Sequence, residues 1–191
     1  MKISFVSAVL MCFSIFTGFC QNIKPAPVGK AVIYIVRPSS MGFAVNFSYF
    51  DGTKLIGKFN GPRYIRYECD PGYHLFWVRS ENRDYVEADV DTGRIYFLEA
   101  IPHMGALKAE AQLIPLDLKN QKEMTKVMDL LAKKPSESFS VLEIEAETLK
   151  MQDAITKGMM KYKEDKDKGV VFERLEKNMY YDDKSAVPGK Q

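Results

Sequence analysis

Residues that could do chemistry are few in this chain of 191 residues. It contains two histidines, His74 and His103, and three cysteines, of which only Cys69 lies beyond residue 20. His74 follows a Pro-Gly turn at the start of a strand-like run, where backbone and strand neighbours commonly hold a histidine. No metal-ligand spacing, nucleophile motif or phosphate-binding loop occurs. The sequence therefore indicates no catalytic set, no cofactor and no metal site.

Four residues stand out as candidate contacts for a ligand or partner: Arg37, His74, Ile155 and Met159. Arg37 opens an Arg-Pro-Ser-Ser loop that could bind an anion. The alternative interpretation of this sequence is a strand end followed by polar loop residues. Ile155 and Met159 belong to a Met-rich helical stripe that either packs on the core or forms an adaptable partner groove.

The elements that position these residues are short strands over residues 31–116, separated by turns at intervals of about 8–12 residues. Asp51-Gly52 predicts a hairpin with a type I′ turn, and Asp70 and Asp91 also lie in turns, where aspartate caps its own backbone. The first strand, AVIYIVRP, is apolar on both faces and should be central. Because every connection is short, the pattern predicts a mainly β fold, an antiparallel sandwich of seven or eight strands. The strands read AVIYIVRP, FAVNFSYF, TKLIGKF, RYIRYEC, YHLFWVRS, YVEADV, RIYFLEA and ALKAEAQLIPL.

Helices are predicted after the strands. Residues 117–134 have apolar positions at helical spacing, so this closing helix should dock on the sandwich and complete a domain over 31–134. A helical extension over 135–182 begins at Pro135, with Ser136 or Ser138 as the cap of a helix from Phe139 to Lys168. Its stripe must be buried by folding back or by a partner, and the short linker favours folding back. Residues 170–183 suggest a third short helix, and residues 183–191 a disordered tail. The stripe contains Val141, Ile144, Met151, Ile155, Met159 and Tyr162.

Residues 1–20 have the pattern of a secretory signal peptide, and residues 21–30 that of a linker. Lys2 precedes an apolar stretch, and cleavage is predicted between Cys20 and Gln21. Phe19 stands where a lipoprotein signal has a small residue, which favours cleavage over lipid anchoring at Cys20. We expect an exported protein with no transmembrane span after cleavage. Cys69 would then be the sole cysteine, with no intramolecular disulfide, and a buried small hydrophobe.

Several of the strand and turn motifs resemble a known domain. AVIYIVRPSS, the DG–IG hairpin, the D-P-G-x-H strand opening and the G-x-I-Y-F strand resemble an uncharacterised bacterial domain of unknown function, over about residues 31–134. That domain occurs in secreted proteins and outer-envelope lipoproteins and looks similar to PEGA and transthyretin-like sandwiches. The resemblance implies a fold and a location, and carries no activity.

The expected function is a non-enzymatic binding or interaction module, secreted or associated with the bacterial envelope. Its partner would be an unknown protein or envelope component, and self-association is possible. Nucleic acid is excluded as a partner because 27 basic residues nearly balance 25 acidic ones. Two alternatives remain: a carrier of a small ligand, carbohydrate or peptide on an aromatic sandwich face, and a hydrolase whose site is assembled in space. The strand aromatics are Tyr49, Phe50, Tyr64, Tyr67, Tyr73, Phe76, Trp77, Tyr85, Tyr96 and Phe97.

Overall fold

The computed structural model describes residues 23–104 and 109–182. The predicted leader, its cleavage site and the tail at 183–191 lie outside these residues. Within them the chain is mainly β, with two helices after the eighth strand. The elements are β1 (Ala31–Arg37), β2 (Phe47–Asp51), β3 (Lys54–Phe59), β4 (Arg63–Cys69), β5 (Gly72–Arg79), β6 (Arg83–Val90), β7 (Ile95–Met104), β8 (Ala109–Pro115), α1 (Gln121–Lys133), α2 (Val141–Asp167) and β9 (Glu173–Leu175).

The strands form two mixed sheets that pack face to face. The first sheet has the order β4-β1-β7-β8, and the second has the order β3-β2-β5-β6-β9. Among the described residues, five strand pairings are antiparallel, but β1–β7 and β6–β9 are parallel. The expectation of antiparallel pairing throughout fails at these two places. Short connections constrain the relative direction of consecutive strands. Strands β1 and β7 are not consecutive, and strands of the other sheet lie between them in the chain, so their relative direction is free.

The four layers run α1, first sheet, second sheet, α2, with apolar contacts at each interface. Strand β1 is buried along its whole length and lies between β4 and β7, which confirms the predicted central strand. Cys69 is buried in the cluster between the sheets, as expected for a small hydrophobe. Helix α1 covers the first sheet through Val127, Leu130 and Leu131.

The hairpin between β2 and β3 lies where Asp-Gly predicts it, but its turn is of a different type. Asp51 pairs with Lys54, so the two central residues are Gly52 and Thr53. Gly52 has a φ of +53°, and no residue other than glycine has a positive φ in the described part of the chain. A type I′ turn needs positive φ at both central residues, and that prediction is therefore wrong.

Helix α2 folds back along the outer face of the second sheet. Met151, Ile155 and Gly158 are buried there against Phe50 and Trp77. Its N-cap is Ser140, which forms a capping box with Glu143, and not Ser136 or Ser138 as predicted. Ser136 instead accepts a hydrogen bond from the Arg66 backbone N–H, which fastens the connecting segment to the edge of β4.

The predicted third short helix over residues 170–183 is wrong for residues 170–182, which the structure describes. Gly169, with a φ of +80°, follows the end of α2, and Glu173–Leu175 then forms β9 beside β6. The sequence that precedes β9, Val170-Val171-Phe172, is β-branched and aromatic, which suits an extended chain. An otherwise open edge of β6 provides the hydrogen-bonding partner, and tertiary pairing overrides a weak helical pattern.

Candidate functional site

Arg37 supports the structure of a loop and is not placed to bind an anion. Its side chain is fully buried and stacks on the Phe47 ring, with the guanidinium carbon 4.0 Å from the ring centroid. Nη1 donates to the Val45 carbonyl at 2.8 Å, and Nη2 donates to the carbonyls of Met41 and Gly42 at 2.9 and 2.7 Å. These bonds hold residues 41–45 as a loop, so the second strand begins at Phe47, later than predicted.

The two helix residues proposed as partner contacts have different surroundings. Ile155 is 1% exposed and packs against the aromatic residues of the second sheet, so it contacts the core. Met159 is half-buried on α2. An aromatic sandwich face was proposed for a carbohydrate or peptide. Phe50, Trp77 and Tyr85 lie beneath α2, and Tyr64 and Phe97 lie beneath α1. Of the ten strand aromatics, Tyr73 alone is exposed.

His74 is the one predicted site residue that gathers other polar groups. Its Nδ1 lies 2.8 Å from Asp51 Oδ2, and its Nε2 lies 2.9 Å from the Asp70 carbonyl oxygen. The Tyr67 hydroxyl donates to the same Asp51 oxygen at 3.1 Å. Asp51 and Asp70 come from the ends of β2 and β4, which the sheets bring beside the start of β5. Sequence reasoning treated both aspartates only as turn residues, because nothing local signals their meeting.

The geometry around His74 requires a charged imidazolium. A carboxylate and a carbonyl can only accept hydrogen bonds, so both ring nitrogens must donate. The hydrogen bond with Asp51, followed by one with Cys69, raises the pKa of His74 to about 10, against the opposing effect of burial. A doubly protonated ring has no lone pair with which to act as a base or to bind a metal ion.

This ion pair makes stability depend on pH in a defined direction. The folded-state pKa of His74 lies above its unfolded value of about 6.5. Its stabilising contribution is therefore complete below about pH 6.5 and is lost as the pH rises towards about 10. At neutral pH the interactions of His74 and Tyr67 with Asp51 consequently have a structural role, because they connect the two sheets.

A polar cleft of about 740 Å³ lies beside His74, over β5, β6 and β9. Apart from Glu176, the charged side chains that line it take part in ion pairs. Glu87 binds Lys166 and lies 3.7 Å from Arg174, while Lys177 lies 3.5 Å from Asp89. Hydrogen bonds with Lys166 and Tyr162 lower the pKa of Glu87, which keeps the carboxylate charged. Because these ion pairs neutralise most of the charged side chains of the cleft, few charges remain for a ligand to neutralise.

A second groove, of about 770 Å³, is mainly apolar and lies between β3, β4 and the first turns of α2. We call it the apolar groove. It is lined by Lys54, Leu55, Ile56, Tyr67, Phe139, Val141, Ile144, Glu145, Thr148 and Leu149. Its back wall depends on Gly57, because a Cβ at that position would lie 2.5 Å from the Phe139 ring. The glycine lets the segment before α2 approach β3 closely enough to form a wall.

The rim of the apolar groove exposes large apolar side chains. Val141 is 72% exposed and Leu149 is 76% exposed, although both are at the edge of a concave surface. The sequence analysis assigned Val141 to the buried stripe and did not consider Leu149. Helical spacing identifies residues on one face, but it does not tell which of them the sheet covers.

Lys54 is the basic residue at the rim. Its ammonium nitrogen lies 5.1 Å from the centroid of the Tyr67 ring. No carboxylate of the described residues lies within ion-pair distance of it. Burial, together with the neighbouring Asp51, raises the pKa of Tyr67 well above its usual range, so the tyrosine in the groove wall is a neutral phenol.

In residues 23–104 and 109–182, no group of three or more His, Cys, Asp and Glu side chains could hold a metal ion. No helix of that part of the chain is long and apolar enough to cross a membrane. Neither family models nor curated proteins give a match to this chain. The resemblance to a PEGA or transthyretin-like sandwich therefore stays a prediction, and the apolar groove is the candidate site.

Proposed function

We propose that the protein is an exported, non-enzymatic binding module whose site is the apolar groove. The observation that carries this proposal is the concave apolar lining together with the exposed rim residues Val141 and Leu149. Small-molecule sites typically have volumes of about 300–1,000 Å³ and an apolar lining with few polar groups. Exposed apolar side chains that border such a cavity are typical of a binding surface.

The surroundings of His74 support the non-enzymatic part of the proposal. A hydrolase needs a group that can accept a proton near neutral pH, and both nitrogens of His74 face hydrogen-bond acceptors, the Asp51 carboxylate and the Asp70 carbonyl. Arg37 is committed to three loop carbonyls and lies apart from His74 in the fold. The groups that sequence reasoning marked for chemistry thus have structural roles in the folded chain.

A fluorescent apolar probe tests the proposed site. We expect saturable binding of a neutral, environment-sensitive dye such as N-phenylnaphthylamine, with a stoichiometry of one per chain. Val141→Asp should weaken it, because a carboxylate at the rim must lose water when an apolar ligand enters. The residue is exposed and in the first helical turn, where an acid is favourable, so the fold should tolerate the change.

Leu142→Asp is the matched control for this experiment. Leu142 is the next residue on α2 and is 76% exposed, yet it does not line the groove. It should leave dye binding unchanged. Absence of saturable binding, or equal losses from the two substitutions, would contradict the assignment of the groove as the site.

Export has its own test. The leader pattern of residues 1–20 supports secretion, and the mature protein should begin at Gln21. N-terminal sequencing and intact mass of the protein from its native source would measure this. A lipid-modified Cys20 at the N-terminus would instead place the protein on a membrane surface and refute the cleavage prediction.

A further inference from the structure

We infer that the apolar groove binds a linear aliphatic carboxylate, with its chain along the groove and its carboxylate at Lys54. This inference rests on the proposed function and adds the chemical class of the ligand. It requires an apolar surface that can cover a chain and a positive charge at one end. Both are features of the described residues around β3, β4 and α2.

The positive charge follows from a count of the groups around Lys54. Asp51 is neutralised by the protonated His74, and Asp70 is neutralised by Lys30 at 2.7 Å. Among the described residues, Lys54 is then left without an ion-pair partner at the rim of the groove. Because the Tyr67 ring contributes only its electron-rich face, it holds the ammonium in place without neutralising it. A ligand carboxylate supplies the missing counter-charge.

The rest of the lining suits a hydrocarbon chain. Leu55, Ile56, Phe139 and Ile144 present carbon atoms and carry no side-chain polar group. Tyr67 directs its hydroxyl away from the ligand, into its hydrogen bond with Asp51. A chain placed there leaves no buried polar group unsatisfied, whereas a sugar or peptide backbone would lose hydrogen bonds with water.

Glu145 is the acidic residue in the lining of the groove. It lies on α2 and lines the rim together with Leu149. Its carboxylate repels a ligand of the same charge, so the ligand's carboxylate should lie at Lys54 and its methyl end nearer α2. Glu145→Gln is consequently expected to tighten binding of the carboxylate and to leave binding of a neutral analogue unchanged.

Titration calorimetry with the full mature chain compares decanoate with decanol. Each methylene that becomes fully buried should tighten binding up to about fourfold, so octanoate should bind more weakly than decanoate. Decanoate should bind about fivefold more tightly than decanol, the size of one partly exposed ion pair. Lys54→Gln should abolish this difference. Lys58→Gln, which removes the same charge from the same strand outside the groove, should preserve it.

The outcomes separate this inference from the proposed function. Equal affinities for decanoate and decanol, or a preference for decanoate that survives Lys54→Gln, would overturn the inference and keep an apolar site. Failure of both ligands and of the neutral dye would overturn the proposed function as well. Binding to phosphatidylglycerol vesicles that decanoate does not displace, or a dimer that Val141→Asp dissociates, would assign the groove to another occupant and overturn the inference.

Discussion

Substitution of Gly158 by alanine tests how α2 lies on the second sheet. A Cβ at this position would lie 2.6 Å from one Trp77 ring carbon and 2.9 and 3.1 Å from two others. The indole cannot move away easily, because it is fully buried and stacks on Phe50 with ring centroids 3.9 Å apart. The Tyr85 hydroxyl also donates to the Gly158 carbonyl at 2.7 Å, which fixes the helix backbone in place.

Two effects of opposite sign decide the result. Alanine has a higher helix propensity than glycine, which should stabilise α2 by about 1 kcal/mol. Overpacking a rigid contact costs about 1–3 kcal/mol, and a separation well below van der Waals contact favours the upper part of that range. If α2 is docked on the sheet, we therefore expect Gly158→Ala to lower the unfolding free energy by about 1–2 kcal/mol. A helix that projected from the sheet would instead gain about 1 kcal/mol, so the sign of the change discriminates between the two.

Urea unfolding followed by fluorescence measures this change directly. Trp77 is the only tryptophan in the chain and lies under α2, so its emission reports loss of the helix contact. Ala146→Gly is the control, because Ala146 is exposed on the same helix and the substitution reverses the propensity change without a clash. It should cost about 1 kcal/mol. Greater stability of Gly158→Ala than of the wild type would refute the close packing of α2 on Trp77.

Three further predictions concern buried polar and apolar groups. The wild type should lose unfolding free energy between about pH 6.5 and about pH 10 as His74 deprotonates, and Asp51→Asn should flatten this loss in urea titrations. Arg37→Met should cost about 2–4 kcal/mol by leaving loop carbonyls unpaired, and faster proteolysis within residues 41–45 would reveal the loosened loop. Ile155→Asp should lower the melting temperature by several degrees through an unpaired buried charge, whereas Met160→Asp on the exposed face should change it little; equal effects would contradict the burial pattern.

The strands and turns were predictable because their causes are local. Alternation of apolar residues identifies a strand from five to eight residues, and Asp-Gly or Pro-Gly marks the point where the chain reverses. The whole of β1 is buried, as its two apolar faces indicated. The parallel pairing of β1 with β7 was missed because it depends on which sheet the intervening strands join, and no short stretch of sequence encodes that choice.

The errors after residue 135 have two different origins. Ser136, Ser138 and Ser140 all fit the preference of an N-cap, and the choice falls to Ser140 because Glu143 completes its capping box while Ser136 bonds to β4. Glu173–Leu175 becomes a strand because β6 has a free edge. The local capping box of Ser140 and Glu143 could thus have been read from the sequence, whereas β9 is selected by a contact distant in sequence.

The candidate site was less predictable than the fold because it consists of surface that the packing of the strands and helices leaves uncovered. Arg37 attracted notice through its Arg-Pro-Ser-Ser loop and His74 as one of two histidines, and the side chains of both bind neighbouring groups of the fold. Val141 and Leu149 have ordinary side chains, and they become informative only because they stay exposed beside the groove while Ile155 of the same helix is buried. A groove of this kind is defined by what the fold leaves uncovered.

Helix α2 links the stability of the fold to occupancy of the apolar groove. Its middle covers Trp77, and its first turns form one wall of the groove, so a ligand that contacts both walls stabilises the docked helix. At a concentration one hundred times its Kd, such a ligand should add about 2.7 kcal/mol to the unfolding free energy. Decanoate should therefore offset the loss caused by Gly158→Ala, as measured by a rise in melting temperature. It should give no such rise in Val141→Asp at the same concentration, and an equal rise in both variants would show that decanoate stabilises the protein from somewhere other than the groove.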